Sequence, residues 1–469
     1  MTDTASIRLR DTLTGRIRPL ETREPGRVTL YACGPTVYDV PHLGHARSAL
    51  TYDVLRRYLT WRGLEVHHVA NITDIDDKII ARARAEGRTE AEVAAEFEDA
   101  YVEAMDALDV LPPHERPHAT AYVDEMIAFI AELVARGAAY ATPSGVYLSV
   151  SAVADYGALV HRSPDALRES AGARVDVDEA KRDPLDFALW KAAKPDEPTW
   201  DSPWGPGRPG WHIECVAMSL GLLGEDFDIH GGGDDLVFPH HENERAEAVA
   251  AGRRFARLWV HHAMVNVAGE KMSKSLGNFS TVGDLLAEHD PRALRLLVLQ
   301  THYRKTMEVD AAAMQQATAA LARLDALARR AAAAGHPLAA PTGRHGELDP
   351  AAVEAFRRAM DDDLGTPEAL ATVFETVRRA NAALDTDADE APRLVRTVGE
   401  LAGALGLTPG ADTHRATGDD DDEIERLVAA RQAARQERDF ATADRIRDEL
   451  AQRGIVIEDT PTGPVWHRR

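Results

Sequence analysis

Cysteine is nearly absent: Cys33 and Cys215 are the two in 469 residues. Two thiols leave three readings, as small buried hydrophobes, as a disulfide, or as metal ligands. A reducing cytoplasm disfavours the disulfide. Long hydrophobic runs are missing as well. No stretch of about 18 apolar residues is present, which excludes a membrane-spanning helix. The opening Met1-Thr2-Asp3-Thr4-Ala5-Ser6 has neither the basic nor the apolar region of a secretory signal, so a cytoplasmic protein is expected. Positive charge is in deficit, 54 Lys and Arg against 77 Asp and Glu, for a formal net charge of −23. That balance argues against coating a nucleic acid through overall charge, while a local basic surface stays open. Tandem repeats are absent.

What is present is ordinary for a soluble globular chain, 44% apolar and 28% charged residues, long enough for two or three domains. Short β-type runs occupy Ile7-Arg8-Leu9-Arg10 and Val28 to Ala32. A helical spacing of apolar residues runs from about His45 to Trp61, and Gly63 ends it. Glu65 to Asn71 reads as the next strand. This β-α-β unit predicts an α/β fold with a Rossmann-type parallel sheet. Its turn lacks G-x-G-x-x-G, which disfavours the common dinucleotide-binding subtype.

The expected order is a domain over 1–285 with an insertion at about 110–205, then a helical bundle over 286–405. An acidic linker at 406–423 ends in Asp419-Asp420-Asp421-Asp422, and a small domain fills 424–469. Within the insertion, Tyr122 to Arg136 reads as an amphipathic helix and Gly145 to Val150 as a strand. Strand patterning returns at Phe227 to His230 and at Leu258 to His262. Leu285 to Gln300, Ala311 to Ala334 and Ala351 to Leu384 read as long helices, and Ile424 to Arg453 as an arginine-rich one before a hairpin-like tail. From Ile424 to Arg469 nine arginines face eight acidic residues, a local +1 in a chain of −23.

Two separated motifs carry the chemistry. Pro41-His42-Leu43-Gly44-His45 follows a strand and opens a helix, where backbone N–H groups can cradle phosphates. Lys271-Met272-Ser273-Lys274-Ser275 lies over two hundred residues later and can approach the same phosphates from the other side. A third constellation concerns metal. Cys33, Cys215 in Gly210-Trp211-His212-Ile213-Glu214-Cys215, and Phe238-Pro239-His240-His241-Glu242-Asn243-Glu244 together offer two thiolates, an imidazole and a carboxylate. His240 and Glu244 share a helix face at i,i+4, and His241 and Glu244 share one at i,i+3, so spacing leaves the histidine open.

With Cys33-Gly34-Pro35-Thr36-Val37-Tyr38-Asp39 and Gly231-Gly232-Gly233, these motifs resemble, in order and along the whole chain, the cysteinyl-tRNA synthetases, class I aminoacyl-tRNA synthetases. The resemblance implies one zinc per chain held by Cys33, Cys215, His240 and Glu244. It implies ATP as substrate, with magnesium, contacted by His42, Gly44, His45 and Lys274, with Lys271 beside them in the adenylation step. Thr36, Thr73, Trp211 and Asp235 match positions around the aminoacyl group. It also implies a monomer that charges tRNA(Cys) with L-cysteine, a bundle contacting the tRNA stem and a C-terminal domain reading the anticodon. Two rivals are a ligase joining cysteine to an amino-sugar inositol in mycothiol synthesis and a non-catalytic zinc-dependent tRNA-binding protein. The tail beyond Ile424 argues against the first. The two adenylation motifs argue against the second.

Overall fold

A computed structural model describes residues 7–171, 181–267, 270–271, 281–338, 348–386, 388–408, 421–436, 439–453, 455–460 and 463–468. The chain forms two compact units. The first contains the residues up to Ala317 together with Arg357–Leu370 and Ala404–Gly406.

It opens with a hairpin of β1 (Arg8–Asp11) and β2 (Arg16–Pro19). The run Val28 to Ala32 is apolar enough to be buried on both faces and becomes β3 (Arg27–Ala32). Helix α1 (Leu43–Trp61) returns the chain and ends before Gly63, whose φ of 83° needs a residue without Cβ. Strand β4 (Glu65–Ala70) then pairs parallel with β3. Helices α2 (Asp77–Glu86) and α3 (Glu90–Ala107) follow.

The insertion comprises α4 (Val123–Ala135), β5 (Ala139–Thr142), β6 (Gly145–Leu148), α5 (Pro164–Ala171), β7 (Phe187–Ala192) and β8 (Gly207–Pro209). Its four strands form an antiparallel sheet in sequence order, β5-β6-β7-β8. Lys191 on β7 and Arg208 on β8 both pair with Asp77 in the first turn of α2, which fastens the insertion beside the main sheet.

Helix α6 (Trp211–Leu223) leads back to β9 (Ile229–Gly233), α7 (Glu242–Ala250) and β10 (Leu258–His262). The main sheet is all parallel in the order β10-β9-β3-β4. A small second sheet joins β11 (Val265–Val267), β12 (Glu270–Lys271) and β13 (Met307–Val309), with α8 (Val282–Glu288) and α9 (Pro291–Leu299) between the last two strands.

The helices α10 (Ala311–Ala333), α11 (Pro350–Asp361), α12 (Thr366–Asp385) and α13 (Ala391–Ala404) follow. The second unit contains Thr318–Phe356, Ala371–Gly403 and the chain from Leu407 onward. Within it Asp349 pairs with Arg379 at 2.8 Å, and the Asp349 N–H donates to Thr397 Oγ1. Towards the C-terminus α14 (Asp421–Gln436) and α15 (Phe440–Gln452) enclose an apolar cluster of Ile424, Val428, Ile446, Leu450 and Ile455, closed by the hairpin of β14 (Ile455–Thr460) and β15 (Gly463–Arg468).

Three helices expected to be continuous are interrupted, each for a local reason. Leu285 to Gln300 splits at Asp290-Pro291, where the Asp290 carboxylate accepts from Arg292 N–H and Pro291 takes the first helical position. Ala351 to Leu384 splits where Asp363 and Leu364 have φ of 61° and 54°. The Asp363 carboxylate is drawn out of helix geometry by Arg10 N–H, Tyr303 Oη and Arg304 Nε at 2.6–2.7 Å. Ile424 to Arg453 splits at Asp439, which caps α15 by accepting from Thr442 N–H.

One buried ion pair ties α1 to α9. Asp53 accepts from Arg295 at 2.5 Å, from Arg57 at 2.9 Å and from Leu111 N–H at 2.9 Å. Arg295 also donates to Leu108 and Asp109 carbonyls at 2.9 and 2.7 Å, and 2% or less of either residue of the pair is exposed. Removing one partner strands the other charge in the core, at a cost of about 3–5 kcal/mol. Asp53→Ala is therefore expected to lower the denaturant midpoint of unfolding sharply, and an unchanged midpoint would show that the pair contributes nothing.

Candidate active site

The strand order places β3 and β9 side by side at the centre, with β4 outside one and β10 outside the other. The connections leave this pair in opposite directions, and the crevice beyond the carboxyl ends of such strands is where α/β sheets bind ligands. A cleft of about 270 Å³ opens there. Cys33, Gly34 and Thr36 follow β3, Asp235 follows β9, His42, Gly44 and His45 open α1, and Trp211 opens α6. All eight line the cleft.

The start of α1 explains its histidines. His42 Nδ1 accepts from Gly44 N–H at 3.0 Å, and His45 Nδ1 accepts from His42 N–H at 3.2 Å. The two rings thus make a reciprocal cap and stack at 3.9 Å. Gly44 is required for this fold-back, because a Cβ there would lie 2.8 Å from the His42 ring. With Nδ1 accepting, the proton of each neutral ring is on Nε2. Burial lowers both pKa values, His45 to about 3, so both rings stay neutral and offer N–H donors instead of charge.

Five donor atoms converge beside the cleft. Cys33 Sγ lies 3.6 Å from Cys215 Sγ, 3.7 Å from His240 Nε2 and 3.6 Å from Glu244 Oε1. His240 Nε2 is 3.6 Å from Cys215 Sγ and 3.0 Å from Glu244 Oε1. Donors at zinc-like bond lengths around a tetrahedral centre lie about 3.3–3.8 Å apart; the contacts made by the two thiols, at 3.6–3.7 Å, fall in that range, and the His240–Glu244 contact at 3.0 Å is shorter. His241 is the fifth. The donor atoms of Cys33, His240, His241 and Glu244 all lie within 4.8 Å of one another. Yet His241 Nε2 sits 3.3 Å from Cys33 and 3.9 Å from Glu244, while its Nδ1 is engaged with His261 Nε2 at 2.7 Å. Only His240 has both thiols and the carboxylate within 3.7 Å, which makes it the better-placed nitrogen.

The electrostatics suit a cation. Glu244 is wholly buried, and burial alone would raise its pKa, but His230 and His240 hold it well below the usual range. Burial alone would lower His240, yet the Glu244 charge and the Cys215 hydrogen bond lift it to about 10. The Cys33 hydrogen bond draws the Cys215 thiol down to about 6 against burial, whereas burial and the neighbouring thiolate push Cys33 up.

Outer contacts aim the donors. His240 Nδ1 lies 3.0 Å from His212 Nδ1, and burial keeps His212 neutral. The Trp211 ring stacks on His240 at 4.0 Å. His230 Nε2 holds the second Glu244 oxygen at 2.7 Å. The helical face expected for His240 and Glu244 is realised differently. Val237–His241 forms a π-type turn with Phe238 outside helical geometry, and α7 begins only at Glu242.

Thr36 and Thr73 are joined by a β-bridge, Val37 N–H donating to Thr73 O. Thr73 itself is buried, and its hydroxyl donates to Glu214 at 3.1 Å. Asn71 supports both segments, accepting from Gly34 N–H at 2.9 Å and donating to Thr73 Oγ1 at 3.3 Å. Gly34 approaches so closely that a Cβ would lie 1.6 Å from Asn71 O. Lys271 ends β12, and Lys274 lies outside the described residues.

Sequence reading did not single out Asn71, Glu214, Lys78 or His230. Lys78 lines the cleft, with its ammonium 5.1 Å from the Tyr38 ring centroid. It had a readable signal, because a lysine in the first turn of a helix capped by Asp76 opposes the helix dipole. The others depend on contacts between distant segments.

Three family models match the chain: the tRNA synthetases class I (C) catalytic domain over residues 19–319, the DALR domain over 355–408, and the cysteinyl-tRNA ligase anticodon binding domain over 417–466. The cysteine–tRNA ligase of Alkalilimnicola ehrlichii is 49% identical over 98% of this chain and 100% of its own. The chain belongs to the cysteine–tRNA ligase family. Family members from Halorhodospira halophila and Streptomyces avermitilis are 49% and 44% identical, each over 98% of this chain and 99% of their own. The fold is also that of Mycobacterium tuberculosis methionyl-tRNA synthetase in complex with methionyl-adenylate, at a TM-score of 0.59 and 17% identity, covering 81% of this chain and 90% of that one.

For this cysteine–tRNA ligase family member the donor spacings distinguish the two histidines. His240→Ala is expected to lose bound metal, and His241→Ala to retain most of it, by elemental analysis of the purified chains. The reverse pattern would make His241 the ligand.

Proposed function

We propose that this chain activates L-cysteine with ATP and transfers it to the 3′ end of tRNA(Cys). The observation that carries the reading is a thiol-rich metal donor set and a histidine-capped helix start opening on one cleft, in a chain of this family. In the first step the cysteine carboxylate attacks the α-phosphorus of ATP, and pyrophosphate leaves. In the second, a ribose hydroxyl of the terminal adenosine attacks the activated carbonyl, and AMP leaves.

Cys33, Cys215, His240 and Glu244 would hold one zinc per chain. Zinc when bound supplies a soft site that favours a thiolate over a hydroxyl, a distinction an apolar pocket makes poorly. The neighbouring Trp211 and Thr36 bound the space for the amino acid, and the layer of Asn71, Thr73 and Glu214 keeps that wall in place. Neutral His42 and His45 donate Nε2–H to phosphate oxygens above the N-terminus of α1, where the helix dipole favours negative charge. Asp235, which lines the cleft, lies among the groups around the aminoacyl moiety. Lys271 and Lys274, with magnesium, balance the triphosphate charge as pyrophosphate separates. Residues 424–469 read the anticodon, and the preceding helices meet the tRNA stem. The protein works as a cytoplasmic monomer. The anticodon-domain match at 417–466 gives an amino-sugar ligase no support.

The deciding experiment is aminoacylation of tRNA(Cys) with cysteine, with serine as control. Charging with cysteine and negligible charging with serine are expected, and absence of cysteine charging by the zinc-loaded chain would refute the reading. Lys274→Ala should lower cysteine-dependent ATP–pyrophosphate exchange on the order of 10²-fold, as one lost electrostatic contact to the transition state does. Removing residues 409–469 should leave that exchange nearly intact and sharply weaken tRNA charging. Undiminished charging by the shortened chain would separate the tail from tRNA recognition.

A further inference from the structure

Arg47 lies on α1, two residues beyond His45, and is 1% exposed. Its guanidinium donates to the carbonyl of Met264 at 3.0 Å, to that of Tyr303 at 3.0 Å, and to that of Lys305. The His302 carbonyl is within reach at 3.5 Å. These carbonyls belong to two segments that are themselves stitched together. Ala263 N–H donates to Tyr303 O at 2.8 Å, and Met307 N–H donates to Met264 O at 3.0 Å. From this point β11 and β13 run parallel. Arg47 therefore grips the first rungs of that ladder by carbonyls the ladder already uses.

Ala263, Met264 and Val265 line the cleft together with His42, Gly44 and His45. Among the described residues the guanidinium meets carbonyls and no carboxylate within ion-pair distance. Asp234 acts on it only from a distance, and a buried cation with no directly paired carboxylate is costly. It is most useful beneath a site that receives a polyanion. The flat fork of arginine suits several carbonyls diverging in one plane, whereas an ammonium is a single point donor.

We propose that Arg47 is a positioning residue for the nucleoside triphosphate. It sets the distance between the His42–His45 turn and the Ala263–Val265 wall, and its charge biases the cleft toward the phosphates without touching them. The proposal rests on the function argued above, in which this cleft takes ATP. It differs from a general stabilising role because the cysteine side of the site is built from Cys33, Cys215, His240 and Glu244, none of which Arg47 contacts.

The test compares Arg47→Lys and Arg47→Met with the unaltered chain, all zinc-loaded. Cysteine-dependent pyrophosphate exchange gives the KM for ATP and for cysteine separately, and elemental analysis gives bound metal. For Arg47→Met the KM for ATP is expected to rise on the order of tenfold or more, as loss of charge-assisted contacts holding a binding wall produces. The KM for cysteine and the metal content should stay within about twofold of the parent. Arg47→Lys, which keeps the charge and part of the bonding, should recover part of the ATP affinity. Equal losses for ATP and cysteine, an unchanged KM for ATP, or an Arg47→Lys chain that fails to fold would each overturn the positioning role. Thermal-shift titration with magnesium–ATP alone reads the same effect without turnover. Absence of cysteine-dependent exchange in the parent would thus sink the function. Equal affinity of parent and Arg47→Met for magnesium–ATP in the titration would sink the role of Arg47.

Discussion

Glu244 carries its charge with no exposed surface, and the site around it is arranged to make that tolerable. An isolated carboxylate in a core would take up a proton. Here one oxygen faces His230 on β9, and the other faces His240 and the Cys33 thiol after β3. Cys215 closes the group from α6. Four elements distant in sequence must therefore meet within a few ångströms for any one of these side chains to be satisfied. A metal cation held there would resolve the charge and the geometry together.

Histidine serves two physical roles within this one cleft. At the start of α1, His42 and His45 are kept neutral by burial and spend Nδ1 on capping the helix. Beside Glu244 the opposite holds: burial acts against the charge on His240, but Glu244 and Cys215 together raise its pKa. The helix start therefore presents oriented neutral donors, and the neighbouring cluster gathers thiols and a carboxylate. Trp211, which lines the cleft, stacks on His240 and so lies beside the thiol and carboxylate cluster.

Local patterning carried far. Val28 to Ala32, the spacing from His45 to Trp61 and the Gly63 stop are period and turn signals, and they appear as β3, α1 and a left-handed glycine. Breaks at Asp290, Asp363 and Asp439 were harder to read. At Asp290 and Asp439 the aspartate prefers a cap to a helix interior, yet composition alone favours one long helix. At Asp363 the cause is tertiary, since Arg10, Tyr303 and Arg304 supply the partners.

The sequence by itself determined the chemical inventory: two thiols placed in separate motifs, a histidine-bearing helix start, a lysine loop and a β-α-β order that requires a parallel sheet. Spacing along a chain reports which residues share one element, so it could not rank His240 against His241. The family resemblance named His240, and the physical reason lies in the third dimension, where a π-type turn sets His240 near both thiols and His241 against His261. Arg47 was invisible for the same reason. Its partners are backbone carbonyls more than 200 residues away, and carbonyls have no residue type for a sequence to display.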